Sequence, residues 1–368
     1  MGEEGSPKKP VLAVTMGDPA GVGPEVIVKA VHEPWVRAAC RPLIIGDVKA
    51  LHREMDALNL RLPLKVLGDA EDVQGFLTDE ALCVLCPRPL SPGDIAYGRP
   101  SAEACRETIR FIRRAVDLAM KGRADAVVTG PIHKDMLQRH GFAFPGHTEF
   151  LQDLTGAPHV VMMLAGPKLR VALLTIHRPL REVADAVTPE RILKTLDVLV
   201  ASLRREFGIS RPRVAVAGLN PHAGESGRFG REELDIIGPA IDSFRRNHPS
   251  CDVSGPHPPD TVFVRAFEGA FDAVLALYHD QGLIPLKLAH FYEAANVTLG
   301  LPIVRTSVDH GTGYDIAGTG KAHPGSLLYA MKTALTMVHH RAAGTLRERT
   351  DSGETPRGAE SLVVSRES

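Results

Sequence analysis

The sequence predicts an α/β protein in which a largely parallel sheet is covered by helices on both faces. Three observations predict it. Short, near-continuous apolar runs recur along the chain, as in strands buried on both faces. They alternate with longer stretches of helical periodicity. Histidines and other polar groups stand just after several of the apolar runs, where open α/β sheets place their ligands.

The apolar runs are VLAVTMG (11–17), PLIIGD (42–47), DAVVTGP (125–131), VVMMLAG (160–166), LRVALLTIH (169–177), RVAVAGLN (213–220), AVLALYH (273–279) and NVTLGLPIVRTS (296–307), the last read as one strand. Only 169–177 follows its predecessor after a short turn, so a β-hairpin is expected there. Helices are expected over 23–32, 101–122, 188–208, 231–248 and 324–340. Thr188-Pro189-Glu190 offers an N-cap followed by proline at the first helical position. Ser101 precedes an apolar stripe at Ile109, Ile112, Ala115, Val116 and Ala119 that suits one buried face.

The 368 residues suffice for about two domains. A formal charge of −1 gives no basic excess to suggest nucleic acid or an anionic membrane as partner. No signal-peptide core or bilayer-length apolar run is present, so a cytoplasmic protein is expected. The five cysteines are odd in number and scattered, which makes no disulfide framework; Cys83 and Cys86 read as small residues on a strand. Residues 1–9 and 344–368 are polar or charge-rich and are expected to be disordered tails.

His177, His222 and His279 each follow a different strand. Neutral imidazole is a common ligand of divalent transition metals, and three protein ligands with an open position is a catalytic arrangement. Taken singly, each histidine also reads as a hydrogen-bonding loop residue; Asp280 beside His279 strengthens the metal reading. Lys287, Asn296 and Arg305 follow His279 at intervals of eight, nine and nine residues. The two cations suit phosphate or carboxylate, and Arg305 is notable for lying inside an apolar run. His147 and Thr148 can donate to an anion, while Thr148 can equally cap a helix. The stretch MGDPAGVGPE (16–25) is glycine-rich and opens a helix, so its amides are candidates for holding an anion. It carries neither GxGxxG nor GxxxxGK[ST], which argues against a Rossmann dinucleotide site. The glycines of 309–320 allow tight turns against a flat ligand.

Taken together, GDPAGVGPE, GPIHK, PGHTEF, RVALLTIHRPL, GLNPHAGE, PPDTVF, YHDQG and RTSVDHG resemble the 4-hydroxythreonine-4-phosphate dehydrogenase family of pyridoxal phosphate biosynthesis, over roughly residues 11 to 340. HGTGYDIAGTG also resembles the nucleotide loop of isocitrate and isopropylmalate dehydrogenases. The resemblance implies their bilobal α/β/α fold, with a discontinuous nucleotide-binding lobe (10–130 plus 306–343) and a metal, substrate and dimerisation lobe (131–305). It implies His177, His222 and His279 as ligands of one divalent metal (zinc, magnesium or cobalt). His147, Thr148, Lys287, Asn296 and Arg305 become substrate contacts, Asp260 and Asp280 acidic residues near the metal, and His310, Gly311, Asp315 and Gly318 contacts to NAD or NADP. A homodimer with its site at the interface is implied, His279 acting on a metal held mainly by the other subunit. The implied reaction oxidises 4-phosphooxy-L-threonine to a β-keto acid that loses carbon dioxide, giving 3-amino-2-oxopropyl phosphate, with Asp280 or Lys287 relaying the proton. Relatives acting on D-threonate or D-erythronate 4-phosphate, or on aromatic dicarboxylate cis-dihydrodiols, supply alternative substrates. A metal-activated hydrolase and a non-catalytic metal-dependent binding protein are further alternatives.

Overall fold

The structure is a computed structural model that describes residues 9–69, 73, 75–144 and 146–351. Twelve strands form one sheet: β1 (Val11–Thr15), β2 (Arg41–Ile45), β3 (Leu64–Leu67), β4 (Leu82–Leu85), β5 (Ala126–Thr129), β6 (Val161–Ala165), β7 (Arg170–Leu173), β8 (Arg213–Ala217), β9 (Asp252–His257), β10 (Ala273–Ala276), β11 (Ala295–Leu299) and β12 (Val304–Val308). Their order is β3-β4-β2-β1-β5-β12-β11-β6-β7-β10-β8-β9. Pairing is parallel from β3 through β12 and again from β7 through β9, while β11 and β6 run antiparallel to their neighbours. Central strands such as β1, β5 and β10 are buried along their whole length, as expected where helices cover both faces.

Helix signals in the sequence have their local causes in the structure. Ser101 Oγ accepts the Ala104 N–H at 3.0 Å and starts helix Ala102–Met120. Thr188 Oγ1 accepts the Arg191 N–H at 3.3 Å and starts helix Pro189–Phe207. Each such cap contributes about 1 kcal/mol. Beta strands 6 and 7 pair antiparallel, which is the hairpin the short turn predicts.

Several expectations need correction. The 296–307 run is two strands, β11 and β12, paired antiparallel. Gly300 makes the reversal with φ +87°, and a Cβ there would come within 2.4 Å of the His159 carbonyl oxygen. Strands β3 and β9 carry no strong apolar run and escape the sequence reading. The region 231–248 is a wide π-turn, Glu233–Ile237, continued by helix Gly238–Asn247. The final helix, Gly325–Asp351, extends past residue 344, where a disordered tail is expected; residues 1–8 and 352–368 lie outside the described residues. All five cysteines are buried and unpaired, with Cys83 on β4. Among the described residues no helix is long and apolar enough to cross a membrane.

The two expected lobes share the one sheet. Residues 10–130 supply β1 to β5, and the sheet passes into the 131–305 region where β12 pairs with β11. The expected boundary at residue 305 falls inside β12.

Candidate active site

His177, His222 and His279 follow β7, β8 and β10, three neighbouring parallel strands in the order β7-β10-β8. All three therefore leave the carboxyl edge of one part of the sheet. His177 and His279 come together, with ring centroids 5.7 Å apart. His222 does not join them. It occupies a left-handed turn (φ 54°), 6.2 Å from the Phe229 ring. Helix Pro259–Phe267, which carries Asp260 in its first turn, packs against that same turn. Among the described residues no three of His, Cys, Asp and Glu stand close enough to hold one metal ion.

His279 is not followed by a loop. It is the first residue of helix His279–His290, so Lys287 is carried on a helix rather than on an extended segment. Asp280, exposed, accepts a hydrogen bond from His279 Nδ1 at 2.7 Å. An ionised carboxylate only accepts, which makes Nδ1 the protonated nitrogen and leaves the Nε2 lone pair free. His177 Nε2 lies 3.4 Å from Lys134 Nζ, at the start of helix Lys134–Arg139. Burial, then the charges of Lys134 and His279, hold the His177 imidazole below its ordinary pKa. Burial also pushes the Lys134 ammonium down, against the pull of Glu149.

These residues open onto a cleft of about 540 Å³ whose wall includes His147, His177, His279, Lys287, Asn296 and His310. Lys287 Nζ reaches Asp309 twice, the carboxylate Oδ2 and the backbone oxygen both at 3.2 Å. Burial raises the Asp309 pKa while Lys287 opposes the shift. Nothing local in the sequence singles out Asp309; the contact that does so spans 22 residues.

Three groups around the cleft are left unsatisfied. Asn296 Oδ1 and His147 Nε2 are buried without a hydrogen-bond partner. Burial, with Arg305 and Lys134 adding to it, holds His147 well below its ordinary pKa and so neutral. Arg305 is fully buried (0% exposed) and does not line the cleft. It donates to Thr298 Oγ1 at 2.8 Å and Thr129 Oγ1 at 2.6 Å, and its Nε has no partner. Neither bond reaches a carboxylate, and burial brings the guanidinium pKa down to about 9. Thr148 is buried in the second position of helix His147–Thr155; Gly146 is the N-cap, so the capping role open to Thr148 in the sequence is not the one it has.

Several amides of the glycine-rich 16–25 stretch are already engaged within the chain. The Asp18 amide donates to the Pro131 oxygen, those of Ala20 and Gly21 to Asp18, and that of Val22 to the Thr312 oxygen at 2.8 Å. Its work is to seat the 309–320 segment. His310 and Gly311 border both the main cleft and a more apolar hollow of about 210 Å³, lined also by Val22, Val26, Tyr292 and Ile316. Asp315 is exposed. Gly318 has φ +77°, and a Cβ there would meet the Tyr97 ring at 2.6 Å, which gives this glycine a packing reason of its own.

Fold and cleft together define an α/β protein with a polar cleft at the carboxyl ends of its strands. A sequence profile of the "Pyridoxal phosphate biosynthetic protein PdxA" family matches residues 38–334. The 4-hydroxythreonine-4-phosphate dehydrogenase of Desulforapulum autotrophicum is 46% identical over 326 residues, 89% of this chain and 95% of that protein. The crystal structure of the same-named enzyme from Klebsiella pneumoniae superimposes with TM-score 0.79 at 40% identity, covering 91% of this chain and 99% of that one. A terephthalate 1,2-cis-dihydrodiol dehydrogenase from Burkholderia xenovorans LB400 is similar at TM-score 0.60 and 30% identity, covering 89% and 98%. The chain belongs to the PdxA family.

Proposed function

We propose that this chain is a 4-hydroxythreonine-4-phosphate dehydrogenase of pyridoxal phosphate synthesis, a cytoplasmic enzyme that oxidises a secondary alcohol at the expense of NAD or NADP. The observation that carries the reading is the unsatisfied polar pair in the cleft wall, the orphaned Asn296 Oδ1 and His147 Nε2, with the buried charge of Arg305, which has no bonded carboxylate, behind it. A buried cation and two idle polar atoms cost free energy unless a ligand completes them. A phosphorylated amino acid supplies both anionic oxygens and donors.

The donor chemistry at the strand ends fits a divalent metal. His279 has its tautomer set by Asp280, and His177 is held neutral, the form in which imidazole ligates. His222 stands apart within one chain, so the set is completed by a second copy of the chain. Exposed apolar side chains support such a dimer. Ile284, Leu288 (88% exposed) and Phe291 stand at i, i+4 and i+7 along the His279–His290 helix and its end, with Val264 exposed on the neighbouring helix. Such a dimer, with its site shared between subunits, places the reacting groups on the 131–305 lobe, and the 10–130 plus 306–343 lobe carries the dinucleotide.

In the proposed reaction the metal supplies a Lewis acid that eases ionisation of the substrate hydroxyl, and the nicotinamide supplies the hydride acceptor. The chain's own residues do the rest. Asp280 or Lys287 relays the hydroxyl proton, and Lys287 can accept it only by handing one of its own protons to Asp309, its ion-pair partner at 3.2 Å. Asp280 keeps His279 oriented, and Asp260 lies near His222 on the outer side. His147, Thr148 and Asn296 hold the anionic substrate, with the charge of Arg305 behind the cleft wall, so that the reacting carbon is presented in one pose. His310, Gly311, Asp315 and Gly318 belong to the dinucleotide segment, and the apolar hollow beside His310 suits a flat ring. The β-keto acid product then loses carbon dioxide, giving 3-amino-2-oxopropyl phosphate.

The test is steady-state turnover. Purified protein given 4-phosphooxy-L-threonine and NAD or NADP should form reduced dinucleotide, and a chelator should abolish it. Turnover with no dinucleotide reduced would favour a hydrolase; binding without any turnover would favour a non-catalytic binding protein.

A further inference from the structure

Tyr314 sits in the middle of the 309–320 segment and makes two contacts outside it. Its hydroxyl donates to Asp18 Oδ2 at 2.5 Å. Its ring stacks on His133, with centroids 5.5 Å apart and planes 18° from parallel. Asp18 is only 3% exposed, and its other oxygen accepts the Ala20 N–H at 2.8 Å, so the carboxylate is fixed before it meets Tyr314. The 2.8 Å bond from the Val22 amide to the Thr312 oxygen fastens the same segment two residues away.

His133 is tied to the substrate cleft in turn. It lines that cleft, and its Nδ1 accepts the Met136 N–H at 3.1 Å, capping the helix that begins with Lys134. Lys134 faces His177 Nε2. The contacts therefore run without a gap from the glycine-rich segment, through one tyrosine, to the imidazole at the strand end. A run of glycines has many accessible conformations, and holding one of them needs fixed points. Tyr314 is the large side chain that supplies one.

We propose that Tyr314, bonded to Asp18 and stacked on His133, is a positioning residue that holds the 309–320 segment in its dinucleotide-binding shape and sets the wall of the substrate cleft against it. The proposal rests on the reading of that segment as the dinucleotide site.

Tyr314→Phe keeps the stack and loses the bond. A hydrogen bond to a charged, buried acceptor is worth enough that NAD affinity should fall about tenfold, with kcat at saturating NAD unchanged. Tyr314→Leu loses the stack as well, and should also raise KM for the phosphorylated substrate. Asp18→Asn has one oxygen for the two donors that Asp18 serves, the Ala20 N–H and the Tyr314 O–H, and should weaken NAD binding as Tyr314→Phe does. Asp18→Ala loses both bonds and should bind NAD no better than Tyr314→Phe, and the double variant should be no worse than Asp18→Ala alone. The measurement is equilibrium titration of the full chain with NAD and with NADP, the affinities above being read for the one that binds, beside thermal melting of each variant. A wild type that binds no dinucleotide overturns the cofactor reading and this proposal with it. A wild type that binds while Tyr314→Phe binds equally well, or additive losses in the double variant, overturns the proposal alone. A lower melting temperature with unchanged affinity also overturns it, because that is a purely structural role.

Discussion

Replacing Arg305 with methionine should make the ligand-free protein more stable while weakening its hold on the substrate. The guanidinium is fully buried, its two bonds go to threonine hydroxyls, and burial brings its pKa from 12.5 to about 9. At 1.36 kcal/mol per pKa unit, that depression corresponds to a penalty of about 5 kcal/mol for keeping the charge dry. Losing the two bonds gives back about 3–4 kcal/mol. Arg305→Met, which keeps most of the side-chain length, should therefore gain about 1–2 kcal/mol, or about 1–3 °C in melting temperature. Both the folded value of about 9 and the unfolded value lie above neutrality, so the group stays charged in both states and the gain should not change between pH 6 and 8. Affinity should move the other way. Arg305 acts on the substrate anion from behind the cleft wall, and losing that charge should cost about 1.4 kcal/mol, roughly tenfold in KM for the phosphorylated substrate. The assays are differential scanning fluorimetry with and without substrate, and steady-state kinetics. At one substrate concentration the wild type should be stabilised more than the variant. A variant that melts lower and keeps its KM would refute the reasoning, since Arg305 would then be a structural cation.

Other outcomes follow from the same geometry. Mixing inactive His222→Ala and His279→Ala proteins under conditions that exchange subunits should restore activity in about a quarter of the sites, because one site of each heterodimer keeps every ligand; no recovery would contradict a site shared between copies. Leu288→Glu should give a monomer in size-exclusion chromatography and abolish turnover. Gly318→Ala should cost about 1–3 kcal/mol in a urea melt through its φ of +77° and the Tyr97 ring. The pKa values of His147, His177 and His257 are all lowered, so the folded protein keeps them neutral where the unfolded chain takes up protons. Their contribution to stability is present above pH about 6.5 and lost as pH falls below it, which urea melts at several pH values would register.

The parts of this architecture that are legible in the sequence are those set by local pattern. Val274, Leu275 and Ala276 announce a buried strand, and its end locates His279 at the ligand edge of the sheet. The caps at Ser101 and Thr188 announce two helices. What is not legible depends on distant partners. NVTLGLPIVRTS is apolar throughout, and only the approach of Gly300 to His159 reveals that the chain turns back there. Gly282 and Pro285 suggest a loop after His279, yet Gly282 packs its bare α-carbon against Val171 and lets the helix lie close to the sheet. The 16–25 amides look free until their acceptors, Pro131 and Thr312, are brought beside them. Asp309 acquires its role only when the His279–His290 helix carries Lys287 to it.

The central claim is most directly tested by comparing kcat/KM for 4-phosphooxy-L-threonine with that for D-erythronate 4-phosphate, D-threonate 4-phosphate and an aromatic cis-dihydrodiol, by dinucleotide reduction under one set of metal conditions. The account predicts chelator-sensitive oxidation with the amino-acid phosphate strongly preferred. Equal or better turnover of a sugar-acid phosphate or the dihydrodiol would contradict it.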